Sequence, residues 1–283
     1  MMKPLRSFLA VLALALATLL PAGVQVEAAQ VVRIGAVHFP PYVVRPENGQ
    51  GQDLLAELVA ALNRRQQAYT FVVVPASVTR RYRDLAQGRV DMVVFENPQW
   101  DWQGIAHVSV DMGLEDTEVF VARRVPGRQQ DYFANLSDKH LALFSGYHYG
   151  FARYNADPGY LTSTFNATLT YSHESNLLMV ARGRVDIAPV TRSFLNDAQV
   201  RHILSADQLL VSERVDQVYR HFALIRPGGA ITAEAFSGLL REVRDSGEMA
   251  RIFEPYGIRV VTEPRPLPVE GPMGNKARVT VKP

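Results

Sequence analysis

The sequence predicts an α/β protein with two lobes that face each other across a cleft. The first observation is the tetrapeptide Gly-Arg-Val-Asp, which occurs at 88–91 and again at 183–186. Each copy follows a helix-like segment and precedes an apolar run, so its glycine is placed to end a helix. The second observation is the alternation of helix-like and strand-like segments, which is typical of a mostly parallel sheet. A cleft between two such lobes is a common place for a small ligand.

The first half of the chain is predicted to form a βαβαβ unit followed by a further strand. Strands are predicted at 31–37, 71–74, 92–95 and 118–123. A helix from Asp53 through Arg65 begins at a favoured N-cap residue and places Leu54, Leu55, Leu58, Ala61 and Leu62 on one face. A second helix ends at Gly88, and its Arg80-Arg81-Tyr82-Arg83 cluster is predicted to be a solvent-exposed face.

The pattern then begins again in the second half of the chain. Strands are predicted at 141–144, 168–171, 187–190, 209–212 and 218–225. Helices are predicted at 147–155, 175–182, 193–198, 232–246 and 248–256. The segment 262–283 is rich in proline and has no apolar period, which predicts a disordered tail.

Residues 1–28 have the pattern of a signal peptide. Lys3 and Arg6 precede an apolar run at 8–20, and small residues favour cleavage after Ala28, or alternatively after Ala29. The run is too short to span a membrane comfortably. The chain has no cysteine, which excludes disulfides, thiolate metal sites and an N-terminal lipid anchor on cysteine. We therefore expect an exported protein, which in a bacterium is located in the periplasm.

Composition and motifs argue against several classes of function. A net charge of +2 gives no electrostatic basis for binding nucleic acid. The chain contains no nucleophile elbow, no phosphate-binding glycine-rich loop and no nicotinamide fingerprint. The seven histidines lack the spacing of paired metal ligands, so neither a metal nor another cofactor is expected.

The order and spacing of several motifs resemble the periplasmic solute-binding proteins of the amino-acid-binding type (bacterial extracellular solute-binding protein family 3). The resemblance covers about residues 31–258 and rests on 39–42 (Phe-Pro-Pro-Tyr), 51–53 (Gly-Gln-Asp), 85–91, 108–111, 136–139, 183–186 and 236–253. It implies the two-lobed, type II periplasmic binding protein fold, with strands crossing between the lobes near 120–124 and 221–225. The first lobe would comprise 29–122 plus 223–261, and the second 123–222.

The resemblance also implies where a ligand would bind. The carboxyl ends of the strands and the turn after 144–146 should face the cleft. The candidate ligand-binding residues are Phe39, Tyr42, Glu96, Asn97, Trp100, Trp102, Tyr147, His148, Tyr149, Thr191 and Arg192. Phe39 matches the family position whose ring packs on the ligand, although core packing is the alternative. Tryptophans beside carboxylates can hold a cation or a flat polar ligand, or they can pack within their own lobe.

The chain departs from the family at the two residues that hold an α-amino acid. The family's carboxylate-binding arginine is missing from 97–103, and Thr191 occupies the position of its amine-binding aspartate. Arg192 could replace the arginine, or its side chain could point to solvent. A standard amino acid is therefore not the expected ligand, and a small polar or cationic organic solute is.

Three functions remain open at this point. The first is a monomeric solute-binding protein that closes by hinge motion and delivers its ligand to an inner-membrane ABC permease. The second is a sensory binding protein that docks to a membrane receptor. The third, and least favoured, is a dehydratase-like enzyme that uses Glu96 and His148 as an acid–base pair across the cleft. We expect the protein not to be an enzyme.

Overall fold

The computed structural model describes residues 28–48, 53–197, 200, 202 and 204–261. The predicted signal peptide, apart from its last residue, and the predicted tail at 262–283 lie outside the described residues. Gly51 and Gln52 of the family-like motif also lie outside them. Within the described ranges, no helix combines the length and apolar character that a membrane crossing requires.

The described strands form one mixed sheet that runs through both halves of the molecule. Their bounds are β1 (Gln30–Ala36), β2 (Tyr69–Pro75), β3 (Met92–Glu96), β4 (Val108–Arg123), β5 (Leu141–Phe144), β6 (Ala167–Thr170), β7 (Ile187–Thr191), β8 (Leu209–Ile225) and β9 (Arg259–Val260). The order is β2-β1-β3-β8-β4-β7-β5-β6, with β9 paired to β4. The β1 pairs and the β5 pairs are parallel, whereas β4 and β8 are antiparallel to their neighbours.

Seven described α-helices cover this sheet. They are α1 (Leu54–Arg65), α2 (Arg80–Ala86), α3 (Pro158–Thr164), α4 (His173–Ala181), α5 (Arg192–Asn196), α6 (Ala233–Asp245) and α7 (Glu248–Phe253). The start and end of helix α1 confirm the sequence prediction. The helix begins directly after its N-cap Asp53, whose carboxylate accepts a hydrogen bond from the Ala56 N–H at 2.8 Å, and it ends at Arg65. The five predicted apolar side chains of α1 are all buried.

The two Gly-Arg-Val-Asp copies have the same structural role. Gly88 and Gly183 end their helices with φ of 68° and 67°, in the left-handed region that favours glycine. The aspartate of each copy binds the backbone of the neighbouring strand region. Asp91 accepts from the Arg33 N–H at 2.9 Å, and Asp186 accepts from the His140 N–H at 2.8 Å. The repeat is therefore a duplicated helix–strand junction.

Strands β4 and β8 connect two separate hydrophobic cores. On β4, Leu114 packs in the first core and Phe120 in the second. On β8, Leu210 packs in the second core and Ala223 in the first. Strand β4 therefore passes from the first core to the second between Leu114 and Phe120, a few residues before the crossing predicted at 120–124. The assignment of 29–122 plus 223–261 and 123–222 to the two lobes stays a prediction.

The helix predicted at 147–155 is wrong, because this segment consists of turns. Arg153 and Tyr154 have φ of 54° and 60°, which a right-handed helix cannot contain. The Asp216 carboxylate on β8 accepts hydrogen bonds from the Gly150 and Phe151 N–H groups, each at 2.7 Å. A tertiary partner thus satisfies backbone donors that a helix would have used.

Candidate functional site

A cavity lies between the two lobes, at the carboxyl ends of β1, β3 and β5. It is lined by Gly35, Val37, Phe39, Val43, Val78, Arg81, Val94, Phe95, Glu96, Trp100, Gly146, Tyr147, His148 and Tyr219. The carboxyl ends of parallel strands in open α/β sheets are the general location of ligand sites. We call this group of residues the cleft wall.

Five of the predicted ligand-binding residues belong to the cleft wall, and six do not. Those on the wall are Phe39, Glu96, Trp100, Tyr147 and His148. Those away from it are Tyr42, Asn97, Trp102, Tyr149, Thr191 and Arg192. The ligand-binding role of the whole set stays a prediction.

The residues away from the wall have structural contacts of their own. The Trp102 indole is fully buried and donates to Glu96 Oε2 at 3.1 Å, directly behind the wall. The Tyr149 hydroxyl accepts from the Phe144 N–H at 2.7 Å. The Thr191 hydroxyl caps α5 by accepting from the Phe194 N–H at 3.2 Å. Asn97 accepts from the Gln99 N–H at 3.0 Å within its loop, and Arg192 is exposed.

Aromatic rings from the two lobes meet across the cavity. Phe39, which follows β1, lies edge-to-face with Tyr147, which follows β5, at 5.5 Å between ring centroids. Trp100 stacks on the His148 ring at 5.9 Å. The cavity between them has a volume of about 50 Å³. Aromatic rings therefore make up a large part of the cavity lining.

Arg81 is the wall residue that the sequence analysis placed wrongly. The cluster at 80–83 was predicted to face solvent, but the Arg81 side chain is only 5% exposed, while Arg80 and Arg83 are exposed. Helix α2 buries Arg81, Asp84 and Leu85 on one face. The i, i+3, i+4 spacing of these three residues is the signal that could have identified the buried arginine.

The Arg81 guanidinium lies against Glu96 at the end of β3. Its other nitrogens donate to the Val78 carbonyl at 2.6 Å and to the Tyr82 hydroxyl at 2.8 Å. Arg81 Nε is 2.9 Å from Glu96 Oε1, but the N–H does not point at the oxygen, so the pair is an ion pair without a hydrogen bond there. Burial raises the pKa of Glu96, and the Arg81 charge and the Trp102 N–H oppose that rise.

The backbone next to Glu96 is irregular. The pairing of β3 with β8 shifts register between Val93 and Glu96, and Phe95 has φ of 58°. A positive φ is unfavourable for a bulky side chain, and such strain concentrates at functional sites. The bulge directs Glu96 to the wall and to Arg81.

Three buried donors on the cleft wall have no hydrogen-bond partner among the described residues. They are Arg81 Nε, Trp100 Nε1 and the Tyr147 hydroxyl. Burial raises the pKa of Tyr147 well above its ordinary value, so its hydroxyl keeps the proton and remains a donor. The Arg81 charge opposes this rise for Tyr147, and it contributes to the lowered pKa of His148.

Glu96 and His148 do not form the acid–base pair considered above. Glu96 is engaged by Arg81 and Trp102, while His148 Nε2 lies 3.0 Å from Asp101 Oδ2. Burial lowers the pKa of His148, and the hydrogen bond to Asp101 opposes this. The described residues also contain no group of three or more histidine or acidic side chains arranged to hold a metal ion.

A second polar group, the Asp116 cluster, lies where the long strands pass between the lobes. It comprises Asp116 on β4, Tyr42 after β1, Ser193 on α5 and His221 on β8. Asp116 Oδ2 accepts from the Tyr42 hydroxyl at 2.9 Å and from Ser193 Oγ at 2.5 Å. The Tyr42 oxygen is also 2.9 Å from His221 Nε2. Burial raises the pKa of Asp116, and these donors lower it.

An acidic pair follows on the same two strands, the buried Glu118 on β4 and the half-buried Asp216 on β8. The Gln217 amide donates to Glu118 Oε2 at 2.8 Å and to the His148 carbonyl at 2.7 Å. Burial raises the pKa of Glu118 well above its usual range, and the neighbouring Asp216 carboxylate raises it further. Since Asp216 also binds the 150–151 backbone, this pair connects the strand crossing to the turn that carries Tyr147 and His148.

Comparison with solved structures identifies the fold. A histidine kinase sensor domain with similarity to periplasmic binding proteins is 20% identical, with a TM-score of 0.61, covering 80% of this chain and 94% of that one. The substrate-binding protein of an amino acid ABC transporter is 15% identical, with a TM-score of 0.59 and coverage of 80% and 98%. An ancestral amino acid-binding protein, described as a precursor of cyclohexadienyl dehydratase, is 15% identical, with a TM-score of 0.58 and coverage of 80% and 95%.

At these identities the similarity establishes the fold alone. The protein has the two-lobed fold of the periplasmic binding proteins, as its motifs predicted. No known family model matches the sequence, and no curated protein matches it significantly.

Proposed function

We propose that the chain is a solute-binding protein of family 3 that captures a small polar organic solute by hinge closure. The observation that carries this proposal is the cleft wall, which gathers buried charged and aromatic side chains from both lobes at the carboxyl ends of β1, β3 and β5. Closure on a ligand fits a molecule whose two cores are joined by the long strands β4 and β8.

A standard α-amino acid does not fit this wall well. The loop at 97–103 has no arginine, and the Thr191 hydroxyl, at the position of the family's aspartate, is used to cap α5. The cationic solute expected from Glu96 also loses support, because Arg81 already balances the charge of Glu96. We therefore expect that replacing Glu96 by Gln does not selectively weaken a cationic ligand.

Delivery to an ABC importer is the first candidate for the step after binding. The similarity to the substrate-binding protein of an amino acid ABC transporter supports it. The similarity to a histidine kinase sensor domain supports the second candidate, docking to a membrane receptor. Both candidates place the chain outside the cytoplasm, in agreement with the signal peptide proposed at residues 1–28. An enzyme is the least favoured candidate, since Glu96 and His148 are engaged with other residues.

The test is a thermal-shift screen of the purified protein lacking residues 1–28 against amino acids, amines, organic acids and sugars. A ligand present at about 100 times its dissociation constant should add about 2.7 kcal/mol of stability. X-ray scattering with and without the best ligand should show a change in radius of gyration. If no solute in any class stabilises the protein, a solute-binding function is contradicted.

The same screen tests the choice of ligand class. Standard amino acids giving the largest shifts would contradict our inference from the missing arginine and aspartate. Turnover of a stabilising solute, followed by chromatography of the reaction mixture, would favour the enzyme instead.

A further inference from the structure

We propose that the ligand of this cleft is a small organic carboxylate whose oxygens accept hydrogen bonds from Arg81, Trp100 and Tyr147. The inference rests on the proposed solute-binding function and names the chemical class of the solute. The positively charged residue that would hold the carboxylate is Arg81 of helix α2, which is not among the candidate ligand-binding residues predicted from the sequence.

The unpartnered donors of the cleft wall favour a ligand that supplies acceptors. Arg81 Nε, Trp100 Nε1 and the Tyr147 hydroxyl are all buried without a hydrogen-bond partner among the described residues. Leaving a buried donor unpaired costs about 1–3 kcal/mol, so native proteins rarely contain one without a reason. Here three such donors belong to residues that line one cavity. A ligand that supplies acceptor oxygens would satisfy them together.

The hydrogen-bonding groups of these residues restrict the chemistry of the ligand. An arginine Nε–H and an indole N–H can only donate, so their partners must be acceptors. The acidic group on the wall, Glu96, is already held by Arg81 and Trp102, which leaves it poorly placed to receive a ligand cation. Because Glu96 balances the charge of Arg81, the preference for a ligand with several acceptor oxygens, such as a carboxylate, rests on the three unpartnered donors together and not on net charge.

The remainder of the cleft wall is largely apolar. Phe39 and Tyr219 have their rings 6.0 Å apart and adjoin the donors. Val37, Val43, Val78 and Val94 complete the wall. These groups suit a flat or short apolar body attached to the carboxylate, and they offer no free acid for an α-amino group. The ligand class is therefore a carboxylate without a neighbouring amine.

The test uses calorimetric titration with pairs of probes that differ in charge and little in shape. Benzoate and pyruvate are the carboxylates, benzamide and pyruvamide are their neutral counterparts, and benzylamine is the cation. At least one carboxylate should bind, and its amide should bind at least about tenfold more weakly, as expected for the loss of a charge-assisted hydrogen bond. Benzylamine should not bind measurably.

Helix α2 provides a matched control for the arginine. Arg81→Met should weaken binding of the carboxylate by about ten- to a hundredfold. Arg80→Met removes an equal charge from the exposed face of the same helix and should leave the dissociation constant unchanged. Because Arg81→Met leaves Glu96 buried without its ion-pair partner and could impair folding, Tyr147→Phe and Trp100→Phe serve as second variants. Each variant removes one unpartnered donor and should weaken binding of the carboxylate about three- to tenfold, while the free protein stays folded.

The outcomes separate this inference from the proposed function. Binding of an amide or of benzylamine as tightly as the carboxylate would overturn the inference and leave a solute-binding function standing. If neither benzoate nor pyruvate binds, the inference is also overturned, and the thermal-shift screen then decides whether the protein binds a solute. Equal effects of Arg81→Met and Arg80→Met would show that Arg81 does not contact the ligand.

Discussion

Two buried polar regions of the described chain, the Asp116 cluster and the cleft wall, differ in how completely their hydrogen bonds are satisfied. In the Asp116 cluster, the carboxylate accepts from the Tyr42 and Ser193 hydroxyls and from the Thr117 N–H, the last at 2.7 Å. On the cleft wall, Arg81, Trp100 and Tyr147 each keep a buried donor without a partner in the described chain. Within the cluster, His221 Nδ1 also lacks a hydrogen-bond partner among the described residues.

This difference separates polar groups that stabilise the fold from groups available to a ligand. A satisfied buried network rigidifies the region that contains it, whereas an unsatisfied group destabilises the protein until a partner arrives. The Asp116 cluster lies where the lobes are joined, and the unpartnered donors lie where a ligand would enter. Removing a hydrogen-bonded hydroxyl from the cluster should therefore lower stability, whereas removing the unpartnered Tyr147 hydroxyl from the cleft wall should not.

The largest effect is expected from removing the acceptor at the centre of the cluster. Asp116→Ala leaves the Tyr42 and Ser193 hydroxyls buried without their acceptor and should lower the free energy of unfolding by about 3 kcal/mol. Urea denaturation measures this value. The control is Glu57→Ala, which removes an exposed ion-pair partner of Arg251 and should cost less than about 1 kcal/mol. A loss of similar size in the two variants would break the comparison.

The next effect is the pH dependence of stability that comes from the unpartnered side chain of His173. Both ring nitrogens of His173 lack a partner in the described part of the chain, and its ring stacks on Phe144 at 4.8 Å. Burial lowers the pKa of His173 to about 3 from its ordinary value of 6.5, and the nearby His38 adds to this. The unfolded chain therefore binds more protons between those values, so stability falls as the pH decreases from 6.5 towards 3.

His173→Phe should remove this contribution. The variant should lose less stability than the wild type between pH 6.5 and 4.5, by up to about 1.4 kcal/mol per pH unit. His221, whose pKa burial also lowers to about 3, remains in the variant, so acid sensitivity decreases without disappearing. Urea titrations at the two pH values check this. Identical pH dependence in the two proteins would mean that His173 is charged or partnered in solution.

A smaller effect is expected from a satisfied hydroxyl at the edge of the cluster. Thr191→Val removes the cap of α5 and the contact of the Thr191 hydroxyl with Ser193 Oγ at 3.0 Å, and should cost about 1 kcal/mol. Thr191→Ser keeps the hydroxyl and should cost less. Ligand affinity should stay the same in both variants, because Thr191 is not on the cleft wall. A large loss of affinity would return Thr191 to the binding site.

The sequence predicted the fold well because the fold follows from local patterns. The glycines of the two repeats end helices and their aspartates bind backbone, and the apolar spacing after Asp53 defines the buried face of α1. The helix predicted at 147–155 was wrong because a distant side chain, that of Asp216, decides the local structure there.

The site was predictable only in part. Phe39, Glu96, Trp100, Tyr147 and His148 follow strand ends, and strand ends converge on the cavity. Arg81 was missed because a basic cluster was judged by its composition and not by its spacing with Asp84 and Leu85. The state of each donor, partnered or unpartnered, depends on distances between chain segments that the sequence does not contain.

The measurement that tests the central claim most directly compares two tyrosine-to-phenylalanine variants in the absence of ligand. The hydroxyls of Tyr42 and Tyr147 are both buried, but the Tyr42 hydroxyl is hydrogen-bonded to Asp116 and the Tyr147 hydroxyl has no partner among the described residues. Urea denaturation should show that Tyr42→Phe loses about 1 kcal/mol, whereas Tyr147→Phe loses nothing or gains stability. An equal loss in the two variants would contradict the account, because the Tyr147 hydroxyl would then be part of the fold and not reserved for a ligand.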